Sequence, residues 1–95
     1  MQRIEVRPME PGEYAAEVTE GQDTTYHRVV VPESVLDELG LVQPTEQTLT
    51  GLVRESLAFL LDREPGDAIE HDVDLDAVAG RFSDYLPELR ARLGL

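Results

Sequence analysis

The sequence predicts an α+β fold, with a three-stranded antiparallel sheet followed by three or four helices. The first third of the chain alternates polar and apolar residues with the period of two that is typical of strands. The middle carries apolar residues three and four positions apart, as amphipathic helices do. Pro and Gly separate these segments at short intervals, which favours short connections and antiparallel neighbours. With 95 residues, the chain is expected to form one domain, 1–95, around one core.

The three strands are expected in the first third of the sequence. The first lies at residues 3–7 and the second at 13–20, and turn residues including Gly21 follow the second. The third lies at residues 24–31, is rich in β-branched and aromatic residues, and stops at Pro32, which has no N–H for a ladder. The apolar positions that the first two strands would turn to the core are Ile4, Val6, Tyr14, Ala16 and Val18.

Helix signals fill the rest of the chain. The first helix opens at Pro32 and ends at Gly40, and the second opens at Thr45, a good N-cap. A third is expected to start near Asp74, and Pro87 can open a fourth. The second helix has the clearest apolar stripe, formed by Leu49, Leu52, Val53, Leu57, Leu60 and Leu61.

The composition excludes several kinds of chemistry. The chain has no Cys, so disulfides, thiolate nucleophiles and Cys-ligated metals are excluded, and the cytoplasm is the natural setting. All eight basic residues are Arg, which excludes Schiff-base chemistry and the lysine of phosphate loops. No apolar run approaches the roughly 20 residues that span a bilayer, and the N-terminus lacks the apolar core of a signal peptide. We expect no cofactor and no membrane association.

The net charge of −12 is the most informative bulk property. It is spread over both halves of the chain, repels nucleic acid and favours basic protein partners, although acidic surface also serves solubility alone. The charge is densest in residues 62–76, an acidic connector with Arg63 as its one basic residue. Asp67, Glu70 and Asp72 in this connector are candidate partner-binding residues.

The third strand carries the other candidate residues. Tyr26, Arg28 and Val30 share one of its faces, while the opposite face holds His27, Val29 and Val31. If the first face is outward, Tyr26 and Arg28 form a recognition pair, because both residue types are frequent anchors of interfaces. The alternative is an ordinary solvated sheet face.

The alternating Asp72, Asp74 and Asp76 resemble the start of a calcium loop. The sixth position is Ala77, where the loop needs Gly, and the twelfth is Ser83, where it needs a bidentate Glu. Helix capping and solvated charge explain these aspartates better.

Catalytic patterns are weak. His27 and His71 have no paired spacing that would indicate a metal site, although their acidic surroundings leave a charge switch conceivable. Ser34, Ser56 and Ser83 fit helix or cap positions, and none lies in a Gly-x-Ser-x-Gly turn. We therefore expect that the protein is not an enzyme, and an acid-rich hydrolase or metal-dependent enzyme is kept as a residual alternative.

The segment of residues 25–64 resembles ribbon-helix-helix proteins of the Arc and MetJ type. The resemblance rests on the order of elements, which is strand, Pro, helix, loop and longer helix. It also rests on the amino-acid sequences RVVVPESVLDEL at residues 28–39 and LVRESL at residues 52–57. It implies a dimer whose paired strands enter the DNA major groove, with Tyr26, Arg28 and Val30 as the reading positions. HicB-like antitoxins, which join a small sheet to such a segment, offer an analogy that fits both sheet and charge.

The sequence thus predicts a non-enzymatic acidic protein-interaction module, antitoxin-like or inhibitory towards a basic partner protein. A homodimeric ribbon-helix-helix DNA-binding regulator is the alternative.

Overall fold

The structure, a computed structural model, describes residues 2–95. An α+β domain contains strands β1 (Gln2–Pro8), β2 (Glu13–Glu20), β3 (Asp23–Val30) and β4 (Asp72–Asp74), and helices α1 (Glu33–Leu39), α2 (Glu46–Leu61), α3 (Leu75–Arg81) and α4 (Tyr85–Leu93). A single 3₁₀ turn, Gly66–Ala68, lies between α2 and β4.

The sheet has four strands in the order β1-β2-β3-β4, and the prediction of a three-stranded antiparallel sheet is wrong in this respect. β1, β2 and β3 form the expected antiparallel meander, but β4 adds parallel to β3, with Arg28 opposite Asp72. β4 was missed because it has three residues, of which Val73 alone is apolar, inside the acidic connector. So short a run has no readable alternation.

The hydrophobic core lies on one face of the sheet. Tyr14 and Val18 of β2, Val29 of β3 and Val73 of β4 are all buried in it, and their neighbours in sequence point to the opposite face. The helices supply the rest of the core, chiefly through the predicted stripe of α2, from which Leu52 to Leu61 are mostly buried. The opposite face of the sheet contributes nothing to this core among residues 2–95, and we call it the outer face.

An aromatic cluster joins α2 to the last two helices. The ring of Phe59 meets Phe82 edge to face at 5.6 Å between centroids and Tyr85 at 5.2 Å. The Arg63 guanidinium lies 3.6 Å from the Phe59 ring centroid. The Tyr85 hydroxyl is 2.7 Å from Ser56 Oγ, which also donates to a main-chain carbonyl of α2, so both buried hydroxyls are satisfied.

Most helix boundaries follow the predicted signals, but α4 begins two residues before Pro87, where the fourth helix was expected to open. The Thr45 side chain accepts the N–H of Thr48 and so caps α2, as predicted. Gly40 ends α1 in the left-handed conformation with φ 73°. Asp74 caps α3 by accepting the N–H of Asp76, which gives this aspartate the capping role expected from sequence.

Two hydrogen bonds that involve strand side chains tie the part of the acidic connector before β4 to the sheet. Glu20 accepts the N–H of Gly66 at 2.7 Å, at the β2–β3 hairpin. Further along, the Glu70 carbonyl is 2.7 Å from Nδ1 of His27, whose Nε2 is 2.9 Å from the Thr25 hydroxyl. These bonds hold β4 in position beside β3.

Gly66→Ala is expected to destabilise the protein by about 1–2 kcal/mol, the cost of losing a part-buried hydrogen bond to a charged group. A Cβ at this position would lie 2.8 Å from Glu20 Oε1, so the carboxylate would have to leave the Gly66 N–H. Gly80→Ala in α3 is the control, because nothing lies within 4 Å of its Cβ and Ala is the better helix former. Urea unfolding should show a loss for the first variant alone, and equal stability of Gly66→Ala and the original protein would contradict the assignment.

Candidate functional site

The outer face of the sheet carries all three of the predicted β3 residues. Tyr26 and Arg28 stand on it beside Glu17 and Ala15 of β2, and Val30 lies opposite Glu13. Tyr26 is 63% exposed, a high value for a large ring in a sheet. The alternation of β3 therefore turns His27 and Val29 to the core and the predicted recognition pair to the surface.

Arg28 is held by two carboxylates. Its Nε donates to Glu13 Oε1 at 2.7 Å, and its Nη1 lies 3.6 Å from Asp72 Oδ1, across the parallel pairing with β4. The hydrogen bond and charge of Glu13 raise the pKa of the Arg28 guanidinium. Arg28 is consequently neutralised within the chain and fixed in direction, whereas a residue that reads phosphate or a base edge needs free donors.

The outer face is concave around Ala15. The depression has a volume of about 240 Å³, and Met9, Tyr26, Arg7 and His71 stand around it. Met9 is 55% exposed, and within residues 2–95 Arg7 has no ion-pair partner. Sequence reasoning missed Ala15, Met9 and Arg7. The sequence signal for the floor of this depression was an outward alanine of β2 that lies between longer outward side chains.

The predicted acidic residues do not form one site. Asp72 joins the outer face through Arg28, whereas Asp67 lies in the 3₁₀ turn and does not line the depression around Ala15. Glu70 is exposed and lies just before β4, at a second concavity.

This second concavity, the β4-edge groove, has a volume of about 130 Å³ and runs along the free side of β4. Its apolar residues are Leu60, Ile69, Val73, Ala77 and Val78. Its charged residues are Glu64, Glu70, Asp72, Asp74 and Arg81. Arg81 Nη2 is paired with Glu64 Oε2 at 3.4 Å, so the groove has an apolar floor and an acidic rim.

The remaining candidates occupy structural positions. His27 is buried and bonded to Thr25 and a carbonyl, Ser56 is buried against Tyr85, and Ser34 donates to Asp76. Within the described chain, no three His, Asp or Glu side chains come together as metal ligands.

Both sides of β3 are paired within the chain, by β2 and β4. A ribbon between two copies of β3, as the ribbon-helix-helix resemblance implies, would have to displace β4 and the contact between Arg28 and Asp72.

None of the helices in residues 2–95 has the length and apolar character needed to cross a bilayer. No protein-family model, curated protein or solved structure matches this chain.

Proposed function

We propose that this protein is a non-enzymatic acidic module of the cytoplasm that binds a basic partner protein through the outer face of its sheet, as an antitoxin-like or inhibitory regulator. The observation that carries the proposal is the uncovered outer face itself, where Tyr26 and Met9 flank a depression floored by Ala15. A large exposed ring next to a depression is the usual anchor of a protein interface.

The charge of the outer face supports a basic partner. By the pairing register, three arginines (Arg3, Arg7 and Arg28) share this face with five carboxylates (Glu5, Glu13, Glu17, Asp72 and Asp74). Arg3 and Arg28 are already paired with acids of the same face. The surplus is negative and adds to the −12 of the whole chain, which steers association with positively charged proteins.

The DNA-binding alternative has less support from the same geometry. Of its three reading positions, Arg28 is engaged by Glu13 and Asp72, and Val30 has no hydrogen-bonding side chain. Tyr26 alone remains, on a face whose net charge repels phosphate.

Affinity capture from the native cell at low salt tests the proposal, with the original protein, Tyr26→Ser and Val42→Ser as baits. Val42 is the matched control, since it is an exposed apolar residue, 87% accessible, in the loop between α1 and α2. We expect a basic protein to be retained by the original bait and by Val42→Ser. Tyr26→Ser should weaken its binding roughly 5- to 30-fold, as loss of an anchor worth about 1–2 kcal/mol would.

Two results would refute the proposal. One is the retention of no basic partner at low salt, and the other is equal retention by Tyr26→Ser and Val42→Ser. The DNA-binding alternative would be favoured instead if the protein shifted a DNA duplex in a gel under the same conditions and light scattering gave the mass of a dimer.

A further inference from the structure

The two edges of the sheet differ in kind. β1 is a seven-residue edge that alternates Arg3, Glu5 and Arg7 and ends at Pro8, the features that commonly protect an edge from pairing. β4 is a three-residue edge flanked by the β4-edge groove. The β4 edge is therefore the one that offers a shaped surface beside its main chain.

Alternate main-chain groups of β4 are directed away from β3, to the open edge of the sheet. The Arg28 N–H donates to the His71 carbonyl at 2.7 Å, which fixes the phase of the parallel ladder between β3 and β4. Successive residues of a strand direct their main-chain groups to opposite sides. The N–H and C=O of Asp72 consequently face the open edge, where another strand would find a donor and an acceptor.

The side chains at this edge specify what could add there. The pairing register places the Asp72 and Asp74 side chains on the outer face and Val73 on the core side. A strand laid beside β4 would turn alternate side chains to the same two sides. Residues on its outer side would meet the two aspartates, and the residue between them would meet the apolar floor of the groove, with Glu70 at its rim.

Arg81 shows that a guanidinium fits this rim. It is 63% exposed and reaches Glu64 across the groove at 3.4 Å, while its guanidinium lies 4.8 Å from the Phe82 ring centroid. Glu70, by contrast, has no ion-pair partner among residues 2–95. Glu70 therefore remains available for a cation from another chain.

We infer that β4 is a docking edge for an extended basic segment of the partner, with basic, apolar and basic residues in succession, which adds to the sheet as a fifth strand. Main-chain hydrogen bonds supply affinity in such strand addition, and alternate side chains supply specificity. The inference rests on the proposed function and assigns the basic partner a second contact, continuous with the outer face through Asp72.

A synthetic peptide, Ser-Arg-Val-Arg-Val-Arg-Ser, is the probe. Its binding is followed by amide chemical shifts of the full chain and by fluorescence anisotropy at low salt. We compare it with the same peptide N-methylated at its valines, and at its arginines in a second version, because N-methylation keeps the charge and removes N–H donors. Addition at β4 predicts shifts centred on residues 70–77 and at least a tenfold loss of affinity for one N-methylated version.

Three protein variants sharpen the test. Glu70→Gln removes a rim charge and should weaken binding roughly 3- to 5-fold, the range of a partly exposed ion pair. Asp37→Asn removes an equal charge from α1 and should change affinity less than twofold. Arg81→Ala frees Glu64 and should tighten binding, a gain that general loss of structure would not produce.

The possible failures are distinguishable. The docking edge is overturned if peptide binding changes the amide chemical shifts of Tyr26 and Arg28 but not those of residues 70–77. It is also overturned if neither N-methylated peptide loses affinity. In both cases the proposed function stands. Failure of the peptide alone, while cytochrome c as a folded basic protein still binds the outer face, has the same meaning. If neither probe binds at low salt, the docking edge is overturned, and the proposed function is refuted with it only when affinity capture also retains no basic protein.

Discussion

Replacing Phe59 by Ala is expected to lower the free energy of unfolding by about 3–5 kcal/mol, the usual cost of emptying a buried aromatic site. Phe59 has no exposed surface, and its ring contacts Phe82 and Tyr85 edge to face while the Arg63 guanidinium covers it. The substitution removes the transfer free energy of the ring and leaves a cavity where α2 meets the segments around α3 and α4. Urea unfolding followed by far-UV circular dichroism measures the loss.

Phe59→Leu is the control for this substitution. It fills most of the volume and should cost distinctly less than Phe59→Ala, since the cavity term is smaller. If Phe59→Ala cost less than about 1 kcal/mol, the cluster would not be the junction of the helices that its geometry indicates.

Alkali is expected to destabilise the protein between pH 10 and 12 through Tyr85. Burial raises the pKa of the Tyr85 phenol to about 12 in the folded state, against its ordinary value of 10.0, although the hydrogen bond with Ser56 acts in the opposite direction. Above pH 10 the unfolded chain releases this proton while the folded chain retains it, so the free energy of unfolding falls as pH rises. The full difference between the two states corresponds to roughly 3 kcal/mol of stability, most of which is lost by pH 12.

Tyr85→Phe removes this pH dependence and is the direct test. At pH 7 it should cost about 1 kcal/mol, because Ser56 keeps its bond to the α2 main chain. Between pH 10 and 12 it should lose less stability than the original protein, and the remaining loss includes Tyr14, whose pKa burial also raises to about 12. Phe59→Leu keeps the phenol and should retain the full pH dependence. Equal slopes for Tyr85→Phe and the original protein would contradict the prediction.

The local parts of the fold were predictable because local chemistry determines them. Residues 13–20 alternate cleanly and form β2, and Thr45 begins α2 through a side-chain cap that a sequence displays directly. β4 was not predictable in this way. Its partner Arg28 lies 44 positions earlier than Asp72, and three residues carry too few side chains to reveal a pairing at that distance.

The candidate site was likewise predictable only where the local sequence determines it. The alternation of β3 places Tyr26 and Arg28 on one face, but which face is outward depends on where the helices pack. Glu13 and Asp72 contact Arg28 because of two strand-pairing registers. One of them is the parallel pairing of β3 with β4, which the sequence did not reveal. The Ala15 depression depends on the residues that surround it across three strands, which no single segment of sequence specifies.

The parallel pairing of β4 with β3 also orders the assembly of the sheet. The β1–β2 and β2–β3 hairpins close over turns of a few residues, whereas β4 can meet β3 only after the chain has passed through α1 and α2 and returned. Closing so long a loop costs entropy before its few contacts can form, so we expect this step late in folding. The contacts of a three-residue strand offset that entropy cost only if the packed helices already hold both ends of the strand. The free edge of β4 is therefore complete only in a chain whose helical half has folded, so a partner that pairs there selects the finished molecule over a nascent or partly unfolded one.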